Sequence, residues 1–190
     1  MNFNFKKWSD SETFNQNMKS YNNASVNPPS HTFNTKEWDA CFTSTMKRAV
    51  DTAKIIYNQK ITGTDLLREV TLKAGFSTKI KIPVFLWAVI GRFQWYFNSK
   101  SQPETKNMSY RRARTFFSGY CFSDKNHHKL LIITHGFFML SLRRELLKLG
   151  FNGPRLLHVK NGKLYQFEKN SDINKSRSKN EQAGNSKGIR

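Results

Sequence analysis

Acidic residues are scarce in this chain of 190 residues: 13 Asp and Glu stand against 32 Lys and Arg, a formal net charge of +19. A field that positive disfavours cationic partners and draws anions, which leaves phosphorylated small molecules, nucleic acid and anionic membrane surfaces as partner classes. The excess is not confined to the C-terminal stretch. Residues 169–190 hold six Lys and Arg against two acids, so about +15 remains upstream.

Cysteine is nearly absent. Cys41 and Cys121 are the only two and have no metal-ligand spacing, which argues against a disulfide framework or a structural zinc and leads us to expect reduced, buried thiols. A long apolar run is also missing. The richest, Val84–Phe97 (VFLWAVIGRFQWYF), is 14 residues with Arg92 inside it, whereas a membrane-spanning helix needs about 20. The opening MNFNFKKWSD has neither the apolar core nor the small-residue site of a signal peptide, so the expected location is the cytoplasm.

What the sequence does have is enough chain for one core and an aromatic share of 14% to fill it, which makes a single α/β domain the expected architecture. Its most informative stretch is Leu130–Gly150, LLIITHGFFMLSLRRELLKLG. Leu130 to Thr134 reads as a buried strand, and the residues after His135-Gly136 read as an amphipathic helix ending at Gly150. His135 thus falls on a strand-to-helix turn, where ligands of open α/β sheets bind and helix N–H groups face an anion. Gly136 would let the backbone approach such a ligand. The plain alternative is a turn cap followed by a bend.

Taken in order, residues 1–8 read as extended, and Ser9 with Glu12 forms a capping box for a helix to about Tyr21. A loop containing Pro28-Pro29 follows, then a strand at Glu37–Phe42. Thr43-Ser44-Thr45 leads into a helix with Met46, Ala49, Val50, Ala53, Ile56 and Tyr57 at helical spacing. Arg48 lies in its first turn, where a guanidinium fork suits a phosphate or simply faces solvent.

A short strand or extended piece is expected around Leu66–Val70, followed by a turn. It carries Glu69, whose apolar neighbours would suit a proton donor and which would otherwise pair with Arg68 or another surface cation. Lys79 to Phe97 reads as a helix or insert covering the sheet edge or a pocket mouth; a hydrophobic lid and an ordinary core helix fit it equally well, with an interfacial membrane helix as a third and less favoured option. An arginine-rich helix at Asn107–Phe122 should turn most of Arg111, Arg112 and Arg114 to solvent. Lys160-Asn161-Gly162-Lys163 is a hairpin signal between Leu156–Val159 and Leu164–Phe167, and residues 169–190 read as a disordered basic tail.

Three blocks resemble, in order, three of the four signatures of the histidine phosphatase superfamily, the phosphoglycerate-mutase-like clan. They are Ser44-Thr45-Met46-Lys47-Arg48-Ala49-Val50-Asp51-Thr52-Ala53, Leu66-Leu67-Arg68-Glu69-Val70 and Ile133-Thr134-His135-Gly136, and the resemblance spans about residues 36–168. It implies a mixed, mainly parallel sheet flanked by helices, and a pocket of two histidines, two arginines and an acid around a phosphoryl group. One of those histidines attacks phosphorus. Arg48 resembles the phosphate-binding second arginine, His135 the second, non-nucleophilic histidine, and Glu69 the acid/base that protonates the leaving oxygen. Positioning and charge neutralisation are what phosphoryl transfer demands.

The resemblance implies a phosphorylated small molecule or phosphoprotein as substrate and neither a metal nor an organic cofactor. Specificity would come from the insert at about Gly75–Thr105. The family's first block, a central strand ending in Arg-His-Gly, has no counterpart here. His31, the earliest histidine, lacks both a preceding apolar strand and an adjacent arginine. The expectation is a phosphatase-like domain at residues 1–168 without its nucleophile and with two strands deprived of their central partner. The rival expectation is a non-catalytic protein that holds nucleic acid or an anionic membrane through the basic surface and Trp87, Trp95 and Tyr96.

Overall fold

The computed structural model describes residues 7–23, 37–121, 129–156 and 159–169. At its centre lies a parallel three-stranded sheet in the order β3-β2-β5, formed by β2 (Ala40–Ser44), β3 (Ile61–Thr64) and β5 (Leu130–Ile133). β2 is the middle strand and the most buried, as expected of a parallel strand covered on both faces.

Alternation along β2 divides the core. Phe42 points to one face, where it packs with Phe116, Phe138 and Leu142 of helices α4 (Lys106–Phe116) and α5 (Phe138–Lys148). Cys41 points to the other, with Tyr57 and Leu131 beside helix α2 (Lys47–Ile56). Burial pushes the Cys41 thiol up to about 11, consistent with an inert core residue.

β2 and β5 are hydrogen-bonded to each other directly, in the register Ala40↔Leu130 through Thr43↔Ile133. The expectation of two strands lacking a partner is thereby corrected. Closing the sheet satisfies backbone groups that would cost about 1–3 kcal/mol each if buried and unpaired.

A second layer sits at the sheet's side. Helix α1 (Ser11–Asn23) and helix α3 (Val84–Tyr96) enclose a small core of Phe14, Leu72, Ala74, Val84 and Trp87. A short antiparallel pair leads into it, β1 (Trp8–Ser9) on β4 (Ile82–Pro83), with Trp8 opposite Pro83. Gly91 lets α3 pass close to the chain before it, since a Cβ there would come within 2.5 Å of the Leu72 side chain and 3.1 Å of the Lys73 carbonyl.

Several local expectations change. Asp10, not Ser9, caps α1: its Oδ1 accepts from the Thr13 N–H at 2.8 Å, while Ser9 belongs to β1 and its buried Oγ has no partner among the described residues. The third strand lies at Ile61–Thr64 rather than Leu66–Val70, because Thr64 caps a 3-10 turn, Asp65–Leu67, that ends it. α4 widens after Phe116 into a π turn, Phe117–Cys121.

The Lys160–Lys163 turn forms, with Gly162 at φ 69°; Leu164–Phe167 is not a strand, Leu157 and His158 of the other expected strand lie outside the described residues, and the pairing seen around the turn is β6 (Phe151–Asn152) with β7 (Glu168–Lys169). Lys169 is therefore part of a strand. The expected features at residues 1–6, at His31 and Pro28-Pro29, and at 170–190 lie outside the described residues.

Candidate active site

Two strand-to-helix turns meet at the carboxyl ends of β2 and β5. The first runs from Ser44 into α2 and brings Arg48; the second runs from Ile133 through His135 into α5. Because β2 and β5 are adjacent and parallel, the two turns emerge side by side. Arg48 and His135, 87 residues apart, meet there.

The Nε of Arg48 donates to Nδ1 of His135 at 3.1 Å. A guanidinium has no acceptor, so Nδ1 is the lone-pair nitrogen and the ring proton sits on Nε2. Nε2 lies 2.8 Å from the buried Ser44 Oγ, which also accepts from the Met46 N–H at 3.2 Å. Burial and the neighbouring charge of Arg48, with Arg112 and Arg68 beyond it, push the His135 pKa down to about 3. The imidazole is neutral at pH 7.

Arg48 is itself held in place. Its Nη1 donates to the Tyr21 carbonyl at 3.1 Å, and the guanidinium lies 5.0 Å from the centroid of the Tyr21 ring. Among the described residues Nη2 has no hydrogen-bond partner. The start of α2 likewise carries no side-chain cap.

Glu69 reaches the same β5–α5 turn from another direction. Its Oε1 accepts from the N–H groups of Val70 at 2.9 Å and Phe138 at 3.0 Å, and its Oε2 from Phe137 N–H at 3.3 Å. The carboxylate therefore caps α5. Neither sequence-based expectation for Glu69, proton donor or partner of Arg68, anticipates this contact; Arg68 pairs instead with Asp65 at 3.7 Å. The α5 N-terminus, expected to offer free N–H groups to a ligand, gives two of them to Glu69.

Gly136 follows His135 with a backbone conformation open to any residue. A Cβ there would meet only Val159, at an ordinary 3.8 Å.

Three further residues shape the site. Arg112 holds Glu104 with Nη2 at 2.8 and 3.0 Å from the two carboxylate oxygens, while its Nη1 donates to the carbonyls of Asp65, Leu66 and Arg68. It thus fastens the segment that aims Glu69, and its guanidinium also lies 4.0 Å from the centroid of the Phe138 ring. The expected solvated face of α4 holds for Arg111 and Arg114 and fails for Arg112. Thr134 Oγ1 donates to the Leu67 carbonyl at 2.8 Å and ties the turn to the same segment.

Arg92 of α3 stacks 3.5 Å from the Phe137 ring centroid, and burial lowers its pKa to about 10 against the attraction of Glu69 and Glu104. Trp95 packs edge-on against the same ring at 4.7 Å. α3 therefore flanks the site. Sequence reasoning did not single out the roles of Ser44, Arg92 or Arg112, because their contacts with His135, Phe137 and the carbonyls of Asp65, Leu66 and Arg68 join residues far apart in the chain.

Trp87 and Trp95, expected as stacking platforms for nucleic acid, are core residues. Their indole N–H groups donate to the Ser9 carbonyl and to Ser109 Oγ, and only Tyr96 of the three is exposed. Among the described residues no group of three or more His, Cys, Asp or Glu is placed to hold a metal ion, and no helix is long and apolar enough to cross a membrane.

The sequence matches the histidine phosphatase superfamily (branch 1) over residues 30–182. The chain belongs to that superfamily. The match covers all three blocks with Arg48, Glu69 and His135, and the parallel sheet with helices on both faces agrees with a phosphoglycerate-mutase-like fold. Among solved structures, Mycobacterial hydrolase 1 aligns with a TM-score of 0.42 at 14% identity, over 84% of this chain and 81% of that one. No curated protein matches the sequence.

Proposed function

We propose that this superfamily member recognises a phosphoryl group through Arg48 and His135. The observation that carries the reading is the Arg48 Nε to His135 Nδ1 hydrogen bond at 3.1 Å. It joins the two residues that resemble the family's phosphate ligands, at the ends of adjacent parallel strands.

Hydrolysis through a phosphohistidine needs an imidazole whose lone pair attacks phosphorus in line with the departing oxygen. The lone pair of His135 already accepts from Arg48. What His135 offers is the Nε2 proton, now directed at Ser44, which suits a neutral donor to a phosphoryl oxygen. Arg48 adds a fixed positive charge whose Nη2 has no hydrogen-bond partner among the described residues, and the start of α2, without a side-chain cap among them, lies beside it. With α5 capped by Glu69, the anion belongs on the α2 side. The result is a pocket suited to binding a phosphoryl group.

Titration of the full chain with orthovanadate and inorganic phosphate, followed by calorimetry, tests this. Saturable binding is expected, weakened about tenfold or more in Arg48→Ala. Absence of vanadate binding would remove the phosphate reading.

A further inference from the structure

Helix α3 is apolar all the way round, yet only one side of it is covered. Val84, Trp87, Gly91 and Trp95 face inward at helical spacing and are buried. The opposite side presents Phe85, Leu86, Val89, Phe93, Tyr96 and Phe97, of which Phe93 is 62% and Phe97 70% exposed. Ile80, just before the helix, is 71% exposed. Arg92, the one charge within the helix, donates to the Val70 carbonyl and lies over the Phe137 ring. A cleft of about 440 Å³ opens beside the exposed phenylalanines, between Phe93, Phe97, Phe137 and Leu140 with Arg92 on its wall. Continuous apolar surface of this kind marks an interaction site.

The charges around it select the partner. Between Val70 and Ser123 there are nine Lys and Arg and a single acid, Glu104, which is already bound by Arg112. Exposed Lys79 and Lys81 precede α3 and exposed Lys100 follows it, while Lys106 lies over the Tyr96 ring at 3.7 Å. We propose that this face docks on an anionic lipid bilayer, with α3 lying in the plane of the interface, its phenylalanines and aliphatic side chains in the acyl boundary and the flanking lysines among the headgroups.

The pattern is that of an interfacial helix, with cations at both ends of an uncharged apolar stripe. Single-stranded nucleic acid would call for cations interleaved with the aromatic rings and flat rings left open. Here Leu86, Val89 and Ile80 contribute aliphatic surface with no stacking face, and the Tyr96 ring is occupied by Lys106.

Co-sedimentation of the full chain with phosphatidylcholine vesicles, with and without phosphatidylserine, tests the proposal. Binding is expected only when phosphatidylserine is present. A Phe93→Ser/Phe97→Ser double variant, altered at exposed positions and so expected to keep the wild-type melting temperature, should partition about tenfold more weakly or worse. Lys79→Gln and Lys81→Gln should each cost about fivefold, the equivalent of ~1 kcal/mol per cation near the surface.

Four results would overturn it. The first is no sedimentation with anionic vesicles. The second is binding unchanged by the phenylalanine substitutions, which would assign it to charge elsewhere in the chain. The others are self-association in lipid-free solution that the double variant abolishes, and tighter capture of an oligothymidylate than of vesicles. Vanadate binding is independent of all these results, so the two proposals fail separately.

Discussion

His135 receives a hydrogen bond from Arg48 on Nδ1 and directs its Nε2 proton at Ser44, so a single arginine sets the tautomer of the one histidine among the described residues. A donor-only partner on Nδ1 is incompatible with the imidazolium, which carries protons on both nitrogens. The contact that fixes the ring's orientation also fixes its charge.

Stability should therefore depend on pH through His135. Between an unfolded pKa of about 6.5 and the native value of about 3, the unfolded chain takes up a proton that the native imidazole refuses. Stability rises with pH across that window and is lost as the pH falls through it. Urea titrations at pH 7 and pH 5 should differ by about 2 kcal/mol from this group. The difference should shrink in His135→Gln, which has nothing to titrate; an identical slope in the variant would assign the effect to other groups.

Glu69 should behave as a structural cap. Its carboxylate accepts from three backbone N–H groups, two of them at the start of α5. Glu69→Ala is expected to lower unfolding free energy by about 1–2 kcal/mol, and Glu69→Gln, which keeps one carbonyl oxygen, by less. Denaturant midpoints with an unchanged m value would check this.

Arg112 should be the costlier loss. Its fork holds Glu104 with the two side chains 17% and 15% exposed, and its removal strands a half-buried carboxylate while freeing the carbonyls of Asp65, Leu66 and Arg68. Arg112→Ala is expected to cost about 3 kcal/mol or more. Arg112→Lys should recover little of it, since an ammonium cannot bridge both oxygens and reach the carbonyls from one plane. Thermal melts of the pair of variants separate loss of charge from loss of geometry.

The two turns of the site are legible in the sequence. Ser44 to Ala53 carries helical apolar spacing directly after a strand, and Leu130 to Thr134 runs into an amphipathic helix, so local periodicity alone places Arg48 and His135 each at a strand-to-helix junction. The superfamily follows from the same blocks, and the match over residues 30–182 agrees with it. Where local signals compete, they mislead. Ser9-x-x-Glu12 looks like a capping box, yet Asp10 caps the helix because pairing with β4 draws Ser9 into a strand. Glu69 sits in an apolar run that reads as a strand, and Thr64 ends the strand before reaching it.

Composition and periodicity by themselves determined the α/β class, the basic field, the two turns and the type of residue at each, because all of these depend on side chains within a few positions of one another. Tertiary structure alone decided that β2 pairs with β5, that Arg48 meets His135 across 87 residues, that Glu69 caps α5, and that Trp87 and Trp95 are core while Phe93 and Phe97 are surface. Each of those depends on which distant backbone and side-chain groups are left to be satisfied once the sheet has closed. That is a property of the packed chain, which no window of the sequence contains.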